Sequence, residues 1–271
     1  MTALPTLPAF VPVKCVDCRD PRAVGIDFTM AFQPIVNIAD QSIFGYEALV
    51  RGLNNESAFS VLSQLNDTNR YRFDQSIRVK ALDLAKRLNL PGMLSINFLP
   101  NAVYRPETCI RATLEAAAEL DFPTDRIMFE VTECEQVLDK EHLKKIFIEY
   151  KKHNFTTAID DFGAGYAGLN LLADWQPDVI KLDMALTRGI DQDRVRRSLV
   201  SAILNVCKDL SIRVIAEGIE TREECMTLAD AGVTLFQGYL FARPGFESLP
   251  TVPSAVWETV ALRRTGDVQR H

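Results

Sequence analysis

Two adjacent carboxylates, Asp160 and Asp161, lie where an apolar segment of strand type ends in this 271-residue chain. Two glycines, Gly163 and Gly165, follow at once, so the acids precede a loop that can adopt unusual backbone angles. At the end of a strand the backbone turns, and both side chains can converge on one site. Like charges held so close repel each other unless a cation lies between them, so the pair indicates a divalent metal site. The alternative is a solvated loop or an Asx-turn.

Polar side chains also end most of the other segments of strand type. These candidates are Glu47, Asn97, Glu130, Glu133, Lys181, Asp183, Glu217, Glu220 and Gln237. Unpaired buried carboxylates are costly, so core packing does not explain such a set. Oxygen ligands without His or Cys favour Mg²⁺ or Mn²⁺ over zinc, and their number is sufficient for two ions.

An acidic cleft that holds metal ions and one lysine suits the hydrolysis of a phosphate ester. Metal ions can lower the pKa of a bridging water and neutralise the phosphate, while Lys181 can hold that water or the developing negative charge. No Ser or Cys has a general base near it in a recognisable arrangement, so the sequence does not indicate nucleophilic acyl transfer.

Segments of strand and helix type alternate over most of the chain. Two strands, 28–38 and 43–50, come first and predict an antiparallel hairpin, in which Pro34 favours an edge or irregular strand. Apolar residues at helical spacing then predict one helix from Glu56 to Leu90. The later strands are predicted at 93–98, 127–131, 156–160, 179–182, 214–216 and 234–237, with helices between them. This order predicts an α/β fold, a (β/α)8 TIM-like barrel whose first strand is antiparallel to the rest.

The composition is that of an ordinary globular protein, with 47% hydrophobic and 24% charged residues. A net charge of −6 argues against a general affinity for nucleic acid or anionic membrane, so we expect no direct DNA binding. The chain has no apolar run of about 18 residues and no signal-peptide pattern. A cytoplasmic protein without membrane contacts is therefore expected, or a soluble piece of a larger one.

Residues 1–26 hold several prolines and little periodicity, which predicts an N-terminal arm or linker, with the folded domain over 27–271. Within this arm Cys15 and Cys18 have the spacing of half a zinc site or of a redox pair. No second pair of Cys or His lies nearby in the sequence, so two ordinary thiols are the alternative.

Several motifs together resemble those of a known family. Glu47-Ala48-Leu49, with Arg51 two residues further on, resembles the signature that names the EAL domains, the cyclic di-GMP phosphodiesterases of bacteria. The resemblance covers roughly residues 27–250, with the motifs in order and at compatible spacing. The other matching segments are Phe32-Gln33-Pro34-Ile35, Ser95-Ile96-Asn97, Phe129-Glu130-Val131-Thr132-Glu133, Asp160-Asp161-Phe162-Gly163, Ile180-Lys181-Leu182-Asp183, Ala216-Glu217-Gly218-Ile219-Glu220 and Gln237-Gly238-Tyr239, with Pro244 beyond.

The resemblance implies metal-dependent hydrolysis of cyclic di-GMP to linear pGpG, which lowers this second messenger in bacterial signalling. The implied ligands of one metal are Glu47, Asn97, Glu130 and Asp160, and those of the second are Asp160, Asp161 and Glu217. Lys181 would position the attacking water, and Glu217 or Glu220 would assist as a base or an outer ligand. Glu133 would steady the loop after Asp161. The implied substrate contacts are Gln33, Arg51, Lys181, Gln237 and the region of Pro244.

Two other functions remain open. The first is a catalytically silent EAL module that binds cyclic di-GMP or a partner protein; such modules usually lack some metal ligands, and none is missing here. The second is a barrel phosphodiesterase for another substrate, such as a glycerophosphodiester, which would not need Gln33, Arg51 and Gln237. Homodimers are usual in the family, so the resemblance implies a homodimer, with a regulatory partner protein as one means of control.

Overall fold

The computed structural model describes residues 25–103, 105–132, 140–165 and 168–261, which form a closed α/β barrel. The strands of this part of the chain are β1 (Thr29–Asn37), β2 (Ser42–Arg51), β3 (Met93–Asn97), β4 (Ile127–Thr132), β5 (Thr156–Phe162), β6 (Val179–Leu182), β7 (Arg213–Ala216), β8 (Leu235–Phe236) and β9 (Gly245–Phe246). Strands β2 to β8 are parallel and lie in chain order. The predicted TIM-like barrel is confirmed; the short β9 is an addition that the sequence did not predict.

Strand β1 closes the barrel and runs antiparallel to both of its neighbours, β2 and β8, as predicted. The interpretation of β1 as an edge strand is therefore wrong, whereas its irregularity is confirmed by a register shift between Ile35 and Val36. Pro34 has no N–H to donate. On the side away from β2 it falls between Phe32, the last residue paired with β9, and Val36, the first paired with β8. The missing donor thus coincides with a gap in strand pairing.

Helices surround the barrel. The described helices are α1 (Ala58–Leu62), α2 (Arg70–Arg87), α3 (Pro106–Glu119), α4 (Lys140–Lys152), α5 (Gly168–Asp174), α6 (Met184–Thr187), α7 (Arg194–Asp209), α8 (Arg222–Asp230) and α9 (Ser254–Ala261), with 3₁₀ turns at Pro100–Ala102 and Thr124–Arg126. Within these ranges, no helix combines the length and the hydropathy that a transmembrane span needs.

The single helix predicted from Glu56 to Leu90 is wrong, because the structure has two helices, α1 and α2, in this region. Between them the Asn69 side chain accepts a hydrogen bond from the Asn66 backbone N–H at 2.8 Å, and the Asn66 side chain accepts one from Thr68. Such side-chain bonds compete with the helical pattern. The predicted apolar positions of α1 do not pack on the barrel, because Phe59 is 80% and Leu62 42% exposed, whereas Val61 of the same helix is buried in the core.

Six buried apolar side chains form a layer inside the barrel. They are Ile35, Met128, Ala158, Val179, Ile215 and Leu235. Each lies two positions along the chain from a candidate site residue on or directly after the same strand, as Met128 does from Glu130 and Val179 from Lys181. Because side chains alternate across a strand, the two members of each pair face the same side of the sheet. The strands thus place an apolar layer next to the polar residues of the site.

Candidate functional site

The site lies at the carboxyl ends of the parallel strands, around the side chain of Lys181 on β6, which is 1% exposed. The Lys181 Nζ lies 2.6 Å from Glu217 Oε1 and 2.8 Å from Glu130 Oε2. It also lies 3.1 Å from Asp160 Oδ1 and 3.3 Å from Glu47 Oε2. Four carboxylates, on β2, β4 and β5 and directly after β7, therefore share one ammonium group.

The pKa values in this cluster follow from burial and from the excess of negative charge. Burial lowers the pKa of Lys181, but the surrounding carboxylates outweigh it and raise that pKa well above its usual value. Burial, followed by repulsion from Asp160, raises the pKa of Glu217 well above its usual value. Burial raises the pKa of Glu130 to about 8 against the attraction of Lys181. Burial and the neighbouring Asp160 raise the pKa of Asp161 to about 6.

The carboxylates form two clusters of three residues, each of which could hold a metal ion. The first cluster is Glu47, Glu130 and Asp160, and the second is Asp160, Asp161 and Glu217. Within each cluster, one ligand atom per residue lies within 4.8 Å of the others. Asp160 belongs to both. When ionised, the five carboxylates carry five negative charges and Lys181 one positive charge, which leaves four negative charges. Two divalent cations would balance them, and oxygen donors of this kind fit Mg²⁺ or Mn²⁺.

The backbone at the end of β5 brings Asp160 and Asp161 together. Asp161 has a left-handed φ of 54°, and its backbone N–H donates to Asp160 Oδ1 at 2.9 Å. Gly163 has a φ of 99°, and a Cβ at this position would lie 2.3 Å from Leu186 Cδ1. The unusual backbone angles predicted for this loop are confirmed at Asp161 and Gly163, whereas Tyr166 lies outside the described residues.

Amide side chains hold Glu47 in place. Asn97 Nδ2 donates to Glu47 Oε1 at 2.8 Å, and Gln237 Nε2 donates to Glu47 Oε2 at 2.7 Å. Gln237 Nε2 also lies 3.3 Å from Gln33 Oε1. Ser95, to which the sequence reasoning gave no role, donates its hydroxyl hydrogen to Glu130 Oε1. Its position two residues before Asn97, on the same face of β3, was the available signal.

A cavity of about 270 Å³ opens on this cluster. Its lining includes Lys181, Gln33 and Gln237 together with most of the carboxylates. Three further lining residues, Met184, Arg188 and Tyr239, had no assigned role. Met184 is the first residue of α6, whereas Arg188 and Tyr239 lie in loops, where the sequence shows no periodic pattern.

Other predicted residues are spread around the cavity or away from it. Glu220 lines the cavity, but its carboxylate pairs with Arg188 NH1 at 2.5 Å. Arg51 ends β2 and donates to the Val50 carbonyl oxygen at 2.7 Å. The cavity lining formed by the described residues includes neither Arg51 nor Pro244. Glu133, Cys15 and Cys18 lie outside the described residues, so their predicted roles stay predictions.

The raised carboxyl pKa values predict how pH affects the metal-free protein. Glu130 titrates at about 8 in the fold and has a usual value of 4.5. Its contribution to folding is therefore present below the usual value and is lost as pH rises through about 8. We expect the melting temperature of metal-free protein to fall between about pH 5 and 8, and Mn²⁺ to raise it more at the higher pH.

The Glu130→Gln variant is the control for this titration. Its melting temperature should vary less between the two pH values, because the glutamine cannot ionise. A melting temperature of metal-free wild-type protein that rises with pH over this interval would contradict the prediction.

Comparison with known protein families gives a match. The sequence model of the family described as the EAL domain matches residues 22–244. The chain belongs to the EAL domain family. The resemblance to EAL domains, first indicated by Glu47-Ala48-Leu49, is thus confirmed, and the match covers most of the barrel.

Curated relatives of this EAL domain include proteins with different descriptions. The blue light- and temperature-regulated antirepressor BluF of Escherichia coli K12 is 32% identical over 223 residues, which are 82% of this chain and 55% of BluF. The cyclic di-GMP phosphodiesterase PdeR of the same organism is 34% identical over 158 residues, 58% of this chain and 23% of PdeR. This chain spans about half or less of the length of these curated relatives.

Solved structures share the fold closely. A standalone versatile EAL protein from Vibrio cholerae O395, bound to cyclic di-GMP, is 59% identical with a TM-score of 0.83, covering 85% of this chain and 98% of that one. The manganese and cyclic di-GMP complex of Klebsiella pneumoniae BlrP1 at pH 9.0 is 34% identical with a TM-score of 0.80, covering 86% of this chain and 59% of that one.

Proposed function

We propose that this EAL domain hydrolyses cyclic di-GMP to linear pGpG with two divalent metal ions, Mg²⁺ or Mn²⁺. The observation that carries the proposal is the pair of carboxylate clusters that share Asp160 and surround Lys181. Relatives described as cyclic di-GMP phosphodiesterases and a neighbouring structure with manganese and the nucleotide support the choice of substrate and metal.

The proposed roles follow from the chemistry of each side chain. Bound metal ions would lower the pKa of a water molecule and neutralise the phosphate. Glu47, Asn97, Glu130 and Asp160 would hold one ion, and Asp160, Asp161 and Glu217 the other.

Lys181 acts as a hydrogen-bond donor in this scheme. The carboxylates keep its pKa well above the usual value, so its ammonium group stays charged and cannot act as a base. It can orient the attacking water and stabilise negative charge on the phosphate. Glu217, which is also a proposed ligand of the second ion, or Glu220 is the proposed proton acceptor, and Glu220 pairs with Arg188 at the cavity wall.

Substrate contacts are proposed within the cavity and beyond its lining. Gln33 and Gln237 line it and can form hydrogen bonds with the nucleotide. Arg51 and Pro244 lie outside the cavity lining and remain predicted contacts. The guanidinium of Arg51 suits a phosphate because it can donate two parallel hydrogen bonds.

A silent regulatory domain is the second candidate, because BluF is described as an antirepressor. The complete set of proposed metal ligands favours turnover instead. The test is to incubate purified protein with cyclic di-GMP and Mg²⁺, then Mn²⁺, and to separate the products by chromatography. We expect pGpG that EDTA suppresses. Binding of cyclic di-GMP on calorimetry without any product would favour the silent domain.

We also propose a homodimer that forms through α7. Val195, Leu199, Val206 and Leu210 lie on one side of this helix by their spacing and are 37–67% exposed. An exposed apolar stripe four turns long is typical of an interaction surface.

Replacing Leu199 with Glu should convert the dimer to a monomer on light scattering, because a charge would enter the apolar contact. Ser201, exposed on the opposite side of α7, gives the control variant Ser201→Glu, which should remain dimeric. A wild-type protein that is monomeric at assay concentrations would refute the homodimer.

A further inference from the structure

A fully buried ion pair lies outside the cavity, on the helix α2. The side chains of Asp74 and Arg78 are both 0% exposed, and Arg78 NH2 lies 2.7 Å from Asp74 Oδ2. Apolar residues of similar volume often stabilise a core as well as a buried ion pair does. The pair therefore invites a role other than stability.

Three aromatic rings surround the Arg78 guanidinium. Its carbon lies 5.4 Å from the ring centre of Phe98, 4.9 Å from that of Phe129 and 5.7 Å from that of Tyr150. Arg78 NH1 also donates to the Tyr150 hydroxyl at 2.7 Å. A charged guanidinium over aromatic faces is an attractive and directional contact, so Arg78 restricts where these rings can lie.

Two of these rings are chain neighbours of proposed metal ligands. Phe98 follows Asn97 at the end of β3, and Phe129 precedes Glu130 on β4. Because neighbouring side chains alternate across a strand, the rings contact Arg78 outside the barrel while Asn97 and Glu130 face its interior. A shift of either ring would thus move a ligand on the other face of the sheet.

The backbone here is also fixed by Asp74. Its Oδ1 accepts a hydrogen bond from the Leu99 N–H at 2.8 Å, two residues after Asn97. The Phe98 N–H in turn donates to the Glu130 carbonyl oxygen at 3.0 Å. Asp74 therefore anchors the backbone directly after β3, which is in turn bonded to β4 at Glu130.

We propose that Asp74 and Arg78 are positioning residues, which set the separation of Asn97 and Glu130 and thereby the affinity of the site for metal. The inference rests on the proposed metal site, but not on the identity of the substrate. Loss of residues that orient metal ligands typically lowers metal affinity about 10-fold to 100-fold.

The test compares Mn²⁺ binding by calorimetry and hydrolysis of cyclic di-GMP across Mn²⁺ concentrations. For Arg78→Met we expect the dissociation constant and the half-saturating Mn²⁺ concentration to rise about 10-fold or more. Hydrolysis should largely recover at saturating Mn²⁺. Arg78→Lys, which keeps the charge but loses the planar fork, should fold well and show a smaller shift in the same direction.

Two control variants separate positioning from general stability. Arg87→Met removes the exposed Arg87–Asp83 pair, which has the same spacing on the same helix, and should leave Mn²⁺ binding unchanged. Leu228→Ala opens the core at a residue on α8 that is 0% exposed, and should lower the melting temperature without changing Mn²⁺ affinity.

Each outcome decides the inference. Wild-type Mn²⁺ affinity in both Arg78 variants would refute it, as would an equal loss of affinity in Leu228→Ala. Wild-type protein that binds no Mn²⁺ would refute the metal site and the inference together. Wild-type protein that binds Mn²⁺ without hydrolysing cyclic di-GMP would refute only the proposed function, and the calorimetric comparison would still decide the role of Arg78.

Discussion

Replacing Asp160 with Asn is expected to reduce hydrolysis of cyclic di-GMP by about 10³-fold or more, because this residue belongs to both carboxylate clusters. Losing the charge stabilisation that metal ions provide costs several kcal/mol in the transition state, and each 1.36 kcal/mol is about tenfold in rate. The variant should fold, since Asn is close in size to Asp. Calorimetry should show weaker Mn²⁺ binding at both sites, with hydrolysis measured by separation of pGpG.

Asp183 provides the matched control. It lines the same cavity but belongs to neither carboxylate cluster. Its Oδ1 accepts a hydrogen bond from the Ala185 N–H at the start of α6. Asn can make the same cap, so Asp183→Asn should retain Mn²⁺ binding and much of the activity. Equal losses in the two variants would show that Asp160 has no special role.

Replacing Lys181 with Met should have two large effects. Hydrolysis should fall by about 10²–10³-fold, the usual cost of removing one donor that stabilises developing charge. The metal-free protein should also lose about 3–5 kcal/mol of unfolding free energy, because removing one partner leaves buried charges uncompensated. Mn²⁺ should restore much of this stability, since a cation can replace the ammonium as counter-charge. Chemical denaturation with and without Mn²⁺ measures the second effect.

Lys151 offers a control for the loss of a lysine charge. It pairs with Asp178 at 3.1 Å, and both side chains are more than a third exposed. Exposed pairs contribute about 0–1 kcal/mol, so Lys151→Met should change neither stability nor hydrolysis appreciably. Full activity in Lys181→Met would contradict the proposed role of Lys181.

The residues at the strand ends could be predicted because one geometric rule connects them. In a parallel barrel the carboxyl ends of the strands meet at one face, so Glu47, Glu130, Asp160 and Lys181 had to lie together once their strands were recognised. The order of strands and helices supplied that recognition. The same rule did not cover Arg188, which lies on a loop beyond α6 and lines the cavity.

The parts that the sequence did not reveal depend on contacts between distant segments. Asp74 and Arg78 are polar residues on a helix, which normally mark a solvated face, yet both are fully buried. The rings of Phe98, Phe129 and Tyr150 surround the Arg78 guanidinium. The break between α1 and α2 depends on side-chain bonds of Asn66 and Asn69, which a count of apolar spacing does not register.

Two-metal hydrolysis is tested most directly by titrating metal-stripped protein with Mn²⁺ while pGpG formation from cyclic di-GMP is followed. Because the two carboxylate clusters share Asp160, we predict that full activity requires two equivalents of Mn²⁺ per chain and disappears in EDTA. Full activity at one equivalent, or activity that persists in EDTA, would contradict two-metal catalysis at this site.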